Sequence, residues 1–272
     1  MKLIDTHMHI GGTAVGFDMP SSMIEGLLGQ YSIDYAIISN ADAVEVSHNQ
    51  ELIPEVQQIT QEAALQDVLD LAQRHSNKIG AAVWVKPRLQ GLTSELETLI
   101  KNHLNQIVAI KLHPFHSNIA PTDSRVLPYL ELAAHYHLPV ISHTGGCEAA
   151  RAYHLYEAAK MFPSIPFVMV HMDLGTDHKE ALDLLGRLDN LYGDTTWVDM
   201  QTTIEAIKRY GSHKMLFGSD APIDGLHTYS YNKKGERSLY QDYFDVLPEK
   251  IDTSAYEDLM YRNAMRLFHI NI

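Results

Sequence analysis

The sequence predicts an α/β fold, a single-domain (β/α)₈ (TIM) barrel that spans residues 1–272. Eight short apolar runs recur, most of them roughly 25 to 40 residues apart, the spacing of a repeated strand–helix unit. The runs show little polar alternation, which indicates parallel strands covered by helices. An open, doubly wound sheet is the alternative, but eight units favour closure into a barrel. The runs cover residues 3–8, 35–39, 79–85, 107–112, 139–143, 166–171, 191–195 and 215–219.

The stretches between the runs have the apolar spacing of amphipathic helices. In residues 62–75, for example, Val68 and Leu69 belong to an apolar set near one helical face. A second helix is expected to begin at Thr122 or Asp123, since both residue types are good N-caps. The predicted helices cover residues 62–75, 123–137, 147–162, 178–188, 200–210 and 254–268, and the last is expected to complete the outer ring.

Composition excludes several classes of function. The net charge of −13 argues against non-specific binding to nucleic acid, which requires a basic surface. The single cysteine, Cys147, cannot form an intrachain disulfide, which fits a reducing compartment. The first residues lack the apolar run of a signal peptide, and no window reaches the roughly 18 apolar residues of a membrane span. We therefore expect a cytoplasmic protein with a small-molecule substrate and no membrane or nucleic-acid partner.

The first apolar run contains two histidines, His7 and His9, at alternate positions. Side chains alternate along a strand, so both imidazoles face the same way, with Cα atoms about 6.6 Å apart. That spacing lets both rings bind one metal ion. His135 and His137 repeat the spacing, but they lie at a predicted helix end, where such side chains point apart. The first pair is therefore the candidate metal ligand.

Four other polar residues lie at or just past the ends of separate apolar runs. Lys111, His143, His171 and Asp220 follow the fourth, fifth, sixth and eighth runs. In a parallel barrel all carboxyl-terminal strand ends open on one rim, where active sites lie. With the first histidine pair, six side chains are therefore expected to surround one small volume.

Several motifs resemble those of a known family. IDTHMH at residues 4–9 resembles the opening motif of the amidohydrolase superfamily. Five further segments of this sequence are similar, in the same order, to segments of the amidohydrolase-related branch (amidohydrolase 2) of that superfamily. These are IKLHP at 110–114, SHTG at 142–145, VHMD at 170–173, FGSDAP at 217–222 and NAMRLF at 263–268. The resemblance spans nearly the whole chain.

The resemblance implies a divalent metal, expected to be zinc with one or two ions per chain, held by His7, His9, His143 and Asp220. Asp220 would accept a proton from the activated water and return it to the leaving group. His171 would either bind a second metal or polarise the substrate and shuttle protons. Lys111 has two open roles. It either stays an ammonium or becomes a carbamate that bridges two metals.

Three functions follow as alternatives. The first is a metal-dependent hydrolase that uses activated water on an amide, lactone or ester. The second is a non-oxidative decarboxylase of an unsaturated or aromatic acid, with a single metal. The third is a non-catalytic barrel that binds metal or ligand, against which Asp220 argues because binding alone does not need it.

The outer residues of the predicted site are less specific. Lys86 and Arg88 follow the third run and are candidates for binding an anionic substrate, although exposed loop cations are the default interpretation. His113 lies two residues after Lys111 and either lines the pocket or caps the strand. The loop that contains Asp224, His227, Tyr229 and Tyr231 is a candidate lid. Pairing of outer helices in a homodimer is also expected.

Overall fold

The computed structural model describes residues 1–75, 77–223 and 240–272. Eight strands form one parallel sheet in which each strand pairs with the next along the chain. The segment after β8 then bonds to β1, with His9 N donating to Ala221 O at 2.9 Å. The predicted barrel is thereby confirmed. The strands are β1 Ile4–Ile10, β2 Tyr35–Asn40, β3 Ile79–Trp84, β4 Ile107–Leu112, β5 Val140–Gly145, β6 Phe167–Leu174, β7 Leu191–Asp194 and β8 Met215–Leu216.

Helices alternate with the strands and pack around the sheet. They are α1 Ser21–Gln30, α2 Gln61–Arg74, α3 Ser94–Asn102, α4 Pro114–Ser117, α5 Leu127–Tyr136, α6 Ala152–Met161, α7 Lys179–Leu185, α8 Met200–Tyr210, α9 Gln241–Asp245, α10 Thr253–Glu257 and α11 Asn263–Leu267. A π-helical turn, Asp258–Arg262, joins α10 to α11. Within the described part of the chain, no helix is both long and apolar enough to cross a membrane.

Two predicted helix starts were wrong. The helix predicted from residue 123 begins at Leu127, because Asp123 instead closes a turn in which Val126 N donates to its carbonyl at 2.8 Å. The helix predicted from residue 147 begins at Ala152, after a separate 3₁₀ turn at Glu148–Ala150. Local hydrogen bonding in these loops outweighs the apolar periodicity that continues through them.

The C-terminal segment does not simply extend the outer ring. Ala264, Leu267 and Phe268 pack in one cluster with Ile4 and other buried strand residues, including Ile37, Ala82, Ala109, Ile141, Val168 and Leu216. Several of these residues lie near the amino-terminal ends of their strands. The last helix therefore covers that end of the barrel, and the opposite, carboxyl-terminal end is left for the site.

A buried glutamate joins two of the loops at this carboxyl-terminal end. The carboxylate of Glu45 accepts hydrogen bonds from Arg88 N at 3.0 Å and Leu89 N at 2.6 Å. Burial raises the pKa of Glu45 to about 7, although these hydrogen bonds oppose the change. Because the pKa is higher in the folded than in the unfolded chain, this group's contribution to stability is full below pH 4.5 and is lost as the pH rises through about 7.

We expect Glu45→Gln to remove this pH dependence. The amide keeps one oxygen for the two backbone donors but carries no charge. Between pH 5 and pH 8, the free energy of unfolding of the variant should fall less than that of the wild type, by about 2–3 kcal/mol. Urea denaturation at both pH values measures the difference. Glu51→Gln, at an exposed glutamate in the same loop, should leave the profile unchanged. Equal profiles for wild type and Glu45→Gln would contradict the prediction.

Candidate metal centre

Three predicted ligands lie closest together at the carboxyl-terminal mouth of the barrel. One ligand atom from each of His7, His171 and Asp220 lies within 4.8 Å of the other two, and all three side chains are buried. His9 joins them, with Nε2 3.0 Å from Asp220 Oδ1. The rings of His7 and His9 are 4.7 Å apart. The structure therefore brings together the first histidine pair, His171 and Asp220.

Closure of the barrel places Asp220 beside the two histidines of β1. Asp220 N donates to His7 O at 2.8 Å, and Asp220 itself has a left-handed backbone with φ of 64°. Asp5 stabilises the same junction, because its carboxylate accepts hydrogen bonds from the amide and the hydroxyl of Ser219. Burial raises the pKa of Asp5 to about 7. A left-handed backbone at a non-glycine residue such as Asp220 is typical of a functional site.

An irregular end of β6 positions His171. His171, Met172 and Asp173 have φ values of 70°, 46° and 73°, so the regular alternation of the strand is interrupted here. The amide of His171 donates to Asp194 Oδ1 at 3.0 Å, and its Nδ1 lies 3.3 Å from the carbonyl of Thr196. The end of β6 is thus held by hydrogen bonds from β7 and the residues after it.

Lys111 lies on β4 beneath the histidines and is completely buried. Its Nζ is 2.8 Å from His7 Nε2, so its direct partner is a histidine. Burial lowers the pKa of Lys111 to about 8, although the charges of Asp220 and Asp194 oppose the change. A lysine with such a pKa has a neutral fraction near physiological pH, which formation of the carbamate requires, and an ammonium fraction, which the other predicted role requires.

His143 on β5 has one ring nitrogen in a hydrogen bond and one without a partner. Nε2 donates to Gly145 O at 3.2 Å. Nδ1 is buried and has no hydrogen-bond partner in the structure, within the residues described. A buried nitrogen with a lone pair and no donor is costly unless a cation or water binds it. Burial also lowers the pKa of His143 and His7, which keeps both rings neutral, the form that binds metal. This donor set fits a divalent metal ion.

A cavity of about 220 Å³ opens above these residues. His9, His143, His171 and Asp220 contribute to its lining, and most of its walls are apolar or aromatic. The wall residues include Val15, Phe17, Val44, Trp84, Phe115, Leu174, Trp197 and Ile223. Such a cavity suits a small, largely apolar molecule with few charges.

His113 lines the cavity, which is one of the two roles that its position predicted, and its second contact is with a helix and not with the strand. Its ring is stacked between Trp84 at 4.6 Å and His143 at 4.2 Å. It also caps α4, because its Nδ1 accepts from His116 N at 3.2 Å. The stack supports the ring of His143 from one side. Whether His113 contacts a substrate stays a prediction.

Two predicted substrate-binding residues are not brought to the cavity. Lys86 Nζ donates to Ile59 O at 2.6 Å, and an Arg88 guanidinium nitrogen lies 3.4 Å from Ser117 O. Neither residue contributes to the described lining. Both cations instead stabilise backbone carbonyls of neighbouring loops. The candidate lid residues Asp224, His227, Tyr229 and Tyr231 lie outside the described residues.

Sequence reasoning missed three residues that contact the site. Trp197 Nε1 donates to Asp220 Oδ2 at 2.8 Å. Asp194 and Thr196 contact the predicted histidine ligands. Asp194 could have been found, since it ends β7 and Lys111, His143 and Asp220 likewise lie near the carboxyl-terminal ends of their strands. Trp197 offered no signal, because its contact depends on the path of a loop.

Comparison with known proteins identifies relatives of the whole chain. The family model described as amidohydrolase matches residues 4–270. A search of curated proteins gives no match. Among solved structures, the chain is similar to a probable 2-pyrone-4,6-dicarboxylic acid hydrolase from Acinetobacter baumannii. Their sequences are 14% identical, the match covers 99% of this chain and 100% of that chain, and the TM-score is 0.66.

Two decarboxylases have similar structures. The 5-carboxyvanillate decarboxylase from Sphingomonas paucimobilis is 12% identical, with 99% of each chain covered and a TM-score of 0.67. A dihydroxybenzoic acid decarboxylase from a Polaromonas species, with bound manganese and the inhibitor 2-nitroresorcinol, is 14% identical. That match covers 100% of this chain and 98% of that chain, with a TM-score of 0.68. At these identities the likeness shows a shared fold.

Proposed function

This chain belongs to the amidohydrolase family, and we propose that it is a metal-dependent hydrolase of a small, flat amide, lactone or ester. The observation that carries the proposal is the position of Asp220. Its carboxylate lies at the base of an apolar cavity, with one oxygen facing His9 and the other held by Trp197. A carboxylate held in this way beside a cluster of neutral imidazoles suits proton transfer as well as metal binding.

The proposed metal ligands are His7, His9, His143, His171 and Asp220, with Lys111 as a sixth group that contacts His7. Zinc is the ion we propose, although a similar structure contains manganese. A divalent metal bound here supplies Lewis acidity and allows water to lose a proton near neutral pH.

Asp220 would transfer the proton. Burial tends to raise the pKa of Asp220, but the hydrogen bond and charge of His9, the charge of His171 and the Trp197 hydrogen bond hold it below its usual range. The carboxylate is therefore ionised at neutral pH. It can accept a proton from water and then donate it to the leaving group. The aromatic walls would hold a flat substrate and exclude other water.

Decarboxylation of a flat, unsaturated or aromatic acid is the second candidate. Two observations favour it. The cavity has aromatic walls, which suit an aromatic acid, and two decarboxylases with this fold are named for aromatic acids. The described lining contains no lysine or arginine, which favours a substrate with at most one carboxylate. A screen that measures carbon dioxide release from aromatic acids beside hydrolysis of lactones, esters and amides separates the two activities. Metal binding without turnover in either arm would favour the non-catalytic alternative.

Metal content tests the proposed centre directly. We expect purified protein equilibrated with zinc to retain about one or two ions per chain, because the site has enough donors for either number. His9→Ala should lower the retained zinc, as measured by elemental analysis after dialysis. Chelation should abolish turnover, and added zinc should restore it.

A matched control separates the site from histidine content in general. His135 in α5 is separated from His137 by one residue, as His7 is from His9. His135→Ala should leave the zinc content unchanged. Two ions per chain would support a carbamate at Lys111, and one would support an ammonium. Retention of no zinc or manganese by the wild type would contradict the proposed centre.

A further inference from the structure

Two buried side chains at the end of β7, Asp194 and Thr196, contact two of the proposed metal ligands, and we call this pair the β7 clamp. Thr196 Oγ1 lies 3.3 Å from His7 Nδ1, and the Thr196 carbonyl lies 3.3 Å from His171 Nδ1. Both clamp residues are fully buried. One residue therefore contacts both imidazoles through two different oxygen atoms.

Asp194 holds Thr196 in place through both carboxylate oxygens. Oδ2 accepts a hydrogen bond from the Thr196 hydroxyl at 2.6 Å. Oδ1 accepts from the amide of Thr196 at 3.1 Å and from the amide of His171 at 3.0 Å. The backbone and side-chain atoms that face the two imidazoles are thereby fixed together.

These bonds determine which ring nitrogen carries the proton. A carbonyl oxygen only accepts, so the Nδ1 of His171 must be protonated to bond to Thr196. The single hydrogen of the Thr196 hydroxyl points to Asp194, so toward His7 that oxygen also accepts, and the Nδ1 of His7 must donate. Lys111 Nζ, 2.8 Å from the Nε2 of His7, fits this state because an ammonium can donate to that lone pair.

We propose that the β7 clamp is a positioning device that sets His7 and His171 in the Nδ1–H tautomer, so that each ring carries its lone pair on Nε2, the nitrogen that would bind a metal. The inference rests on the proposed function for the identity of the ligand. Outer groups of this kind commonly orient metal-binding histidines and fix their tautomer. The clamp contacts two proposed ligands from the end of β7 and the residues just after it, a segment that supplies no proposed ligand itself.

Asp194→Asn tests the tautomer of His7 without any metal. The amide keeps an oxygen for the two backbone donors and places its NH₂ toward the Thr196 hydroxyl. The hydroxyl then accepts from the amide and turns its own hydrogen toward His7 Nδ1, which must lose its proton. In ¹⁵N NMR of the metal-free full chain, we expect His7 to change to the Nε2–H tautomer and His171 to remain Nδ1–H. The signals are assigned by their loss in His7→Asn and His171→Asn.

Zinc affinity, measured by competition with a chromophoric chelator, gives the second readout. Thr196→Val removes the hydroxyl and keeps the carbonyl, so we expect zinc to bind about 10- to 100-fold more weakly. Asp194→Asn should weaken binding by a similar factor, and Thr196→Ser should restore it. Thr203→Val is the matched control, because it removes a buried threonine hydroxyl that bonds to Tyr243 and touches no proposed ligand.

The outcomes separate the clamp from the proposed function. Retention of the Nδ1–H tautomer by His7 in Asp194→Asn, or wild-type zinc affinity in Thr196→Val, would overturn the clamp. An equal loss in Thr203→Val would do the same, because it would show a general effect of destabilisation. If the wild type binds no metal, the proposed function fails, and the NMR experiment still decides whether the clamp sets the tautomer. If Thr196→Val does not fold, Thr196→Ser and Asp194→Asn provide the comparison.

Discussion

Replacing Asp220 with asparagine is expected to lower kcat by about 1,000-fold, even with saturating metal and substrate. The amide keeps the size of the carboxylate and one oxygen that faces His9, but it has no basic site that can accept a proton from water. The expected effect therefore lies in kcat, and the apparent KM should change much less. Steady-state kinetics with the best substrate from the screen measures the split.

Asp173→Asn provides the control for this substitution. Asp173 is also buried on the same rim, but it accepts a hydrogen bond from the amide of Ala152 and lies outside the metal cluster. Its variant should retain kcat near the wild-type value. A kcat for Asp220→Asn within tenfold of the wild type would rule out Asp220 as the group that transfers the proton. A loss explained entirely by absent metal would instead assign it a purely ligating role.

Gly145→Ala is expected to destabilise the protein by more than about 3 kcal/mol, or to prevent folding. Gly145 has a φ of +98°, which is unfavourable for any residue with a Cβ. A Cβ at this position would also lie 2.5 Å from Leu174 O and 2.6 Å from Asp173 C. These are backbone atoms of the adjacent strand, so the contact cannot be relieved by a side-chain rotation. Urea or thermal denaturation measures the change.

Gly26→Ala is the opposite case. Gly26 lies inside α1, has no left-handed backbone, and has open space where the Cβ would be. Alanine there should stabilise the protein by up to about 1 kcal/mol, because glycine is the weaker helix former. If Gly145→Ala were as stable as the wild type, the close approach of β5 and β6 would not constrain this residue.

The barrel and the polar residues of its carboxyl-terminal rim could be predicted from the sequence, because both depend on local patterns. Each apolar run marks a strand, and a polar residue at its end must lie on the common rim of a parallel barrel. The same rule applies to Asp194, which lies one residue before the end of the seventh run. Asp220 also lies in a segment that resembles the family, FGSDAP, whereas Asp194 lies in none of the segments that carry the resemblance.

Contacts between distant loops could not be read in this way. Lys86 and Arg88 are cations after a strand, and nothing in their neighbourhood reveals that the carbonyls of Ile59 and Ser117 lie beside them. Helix starts failed for a related reason. The backbone hydrogen bond from Val126 to Asp123 closes a turn where apolar spacing alone predicts continuous helix.

The chain contains two tryptophans, Trp84 and Trp197, and both line the same cavity. All tryptophan fluorescence of the protein therefore comes from the wall of this cavity. Trp84 is stacked on His113, whereas Trp197 is 41% exposed and bonded to Asp220, so the two indoles have environments of different polarity. A molecule that enters the cavity should quench or shift this emission. The intrinsic fluorescence of the unlabelled protein should therefore report whether the cavity is occupied. Candidate ligands can be ranked by fluorescence titration before any reaction product is known.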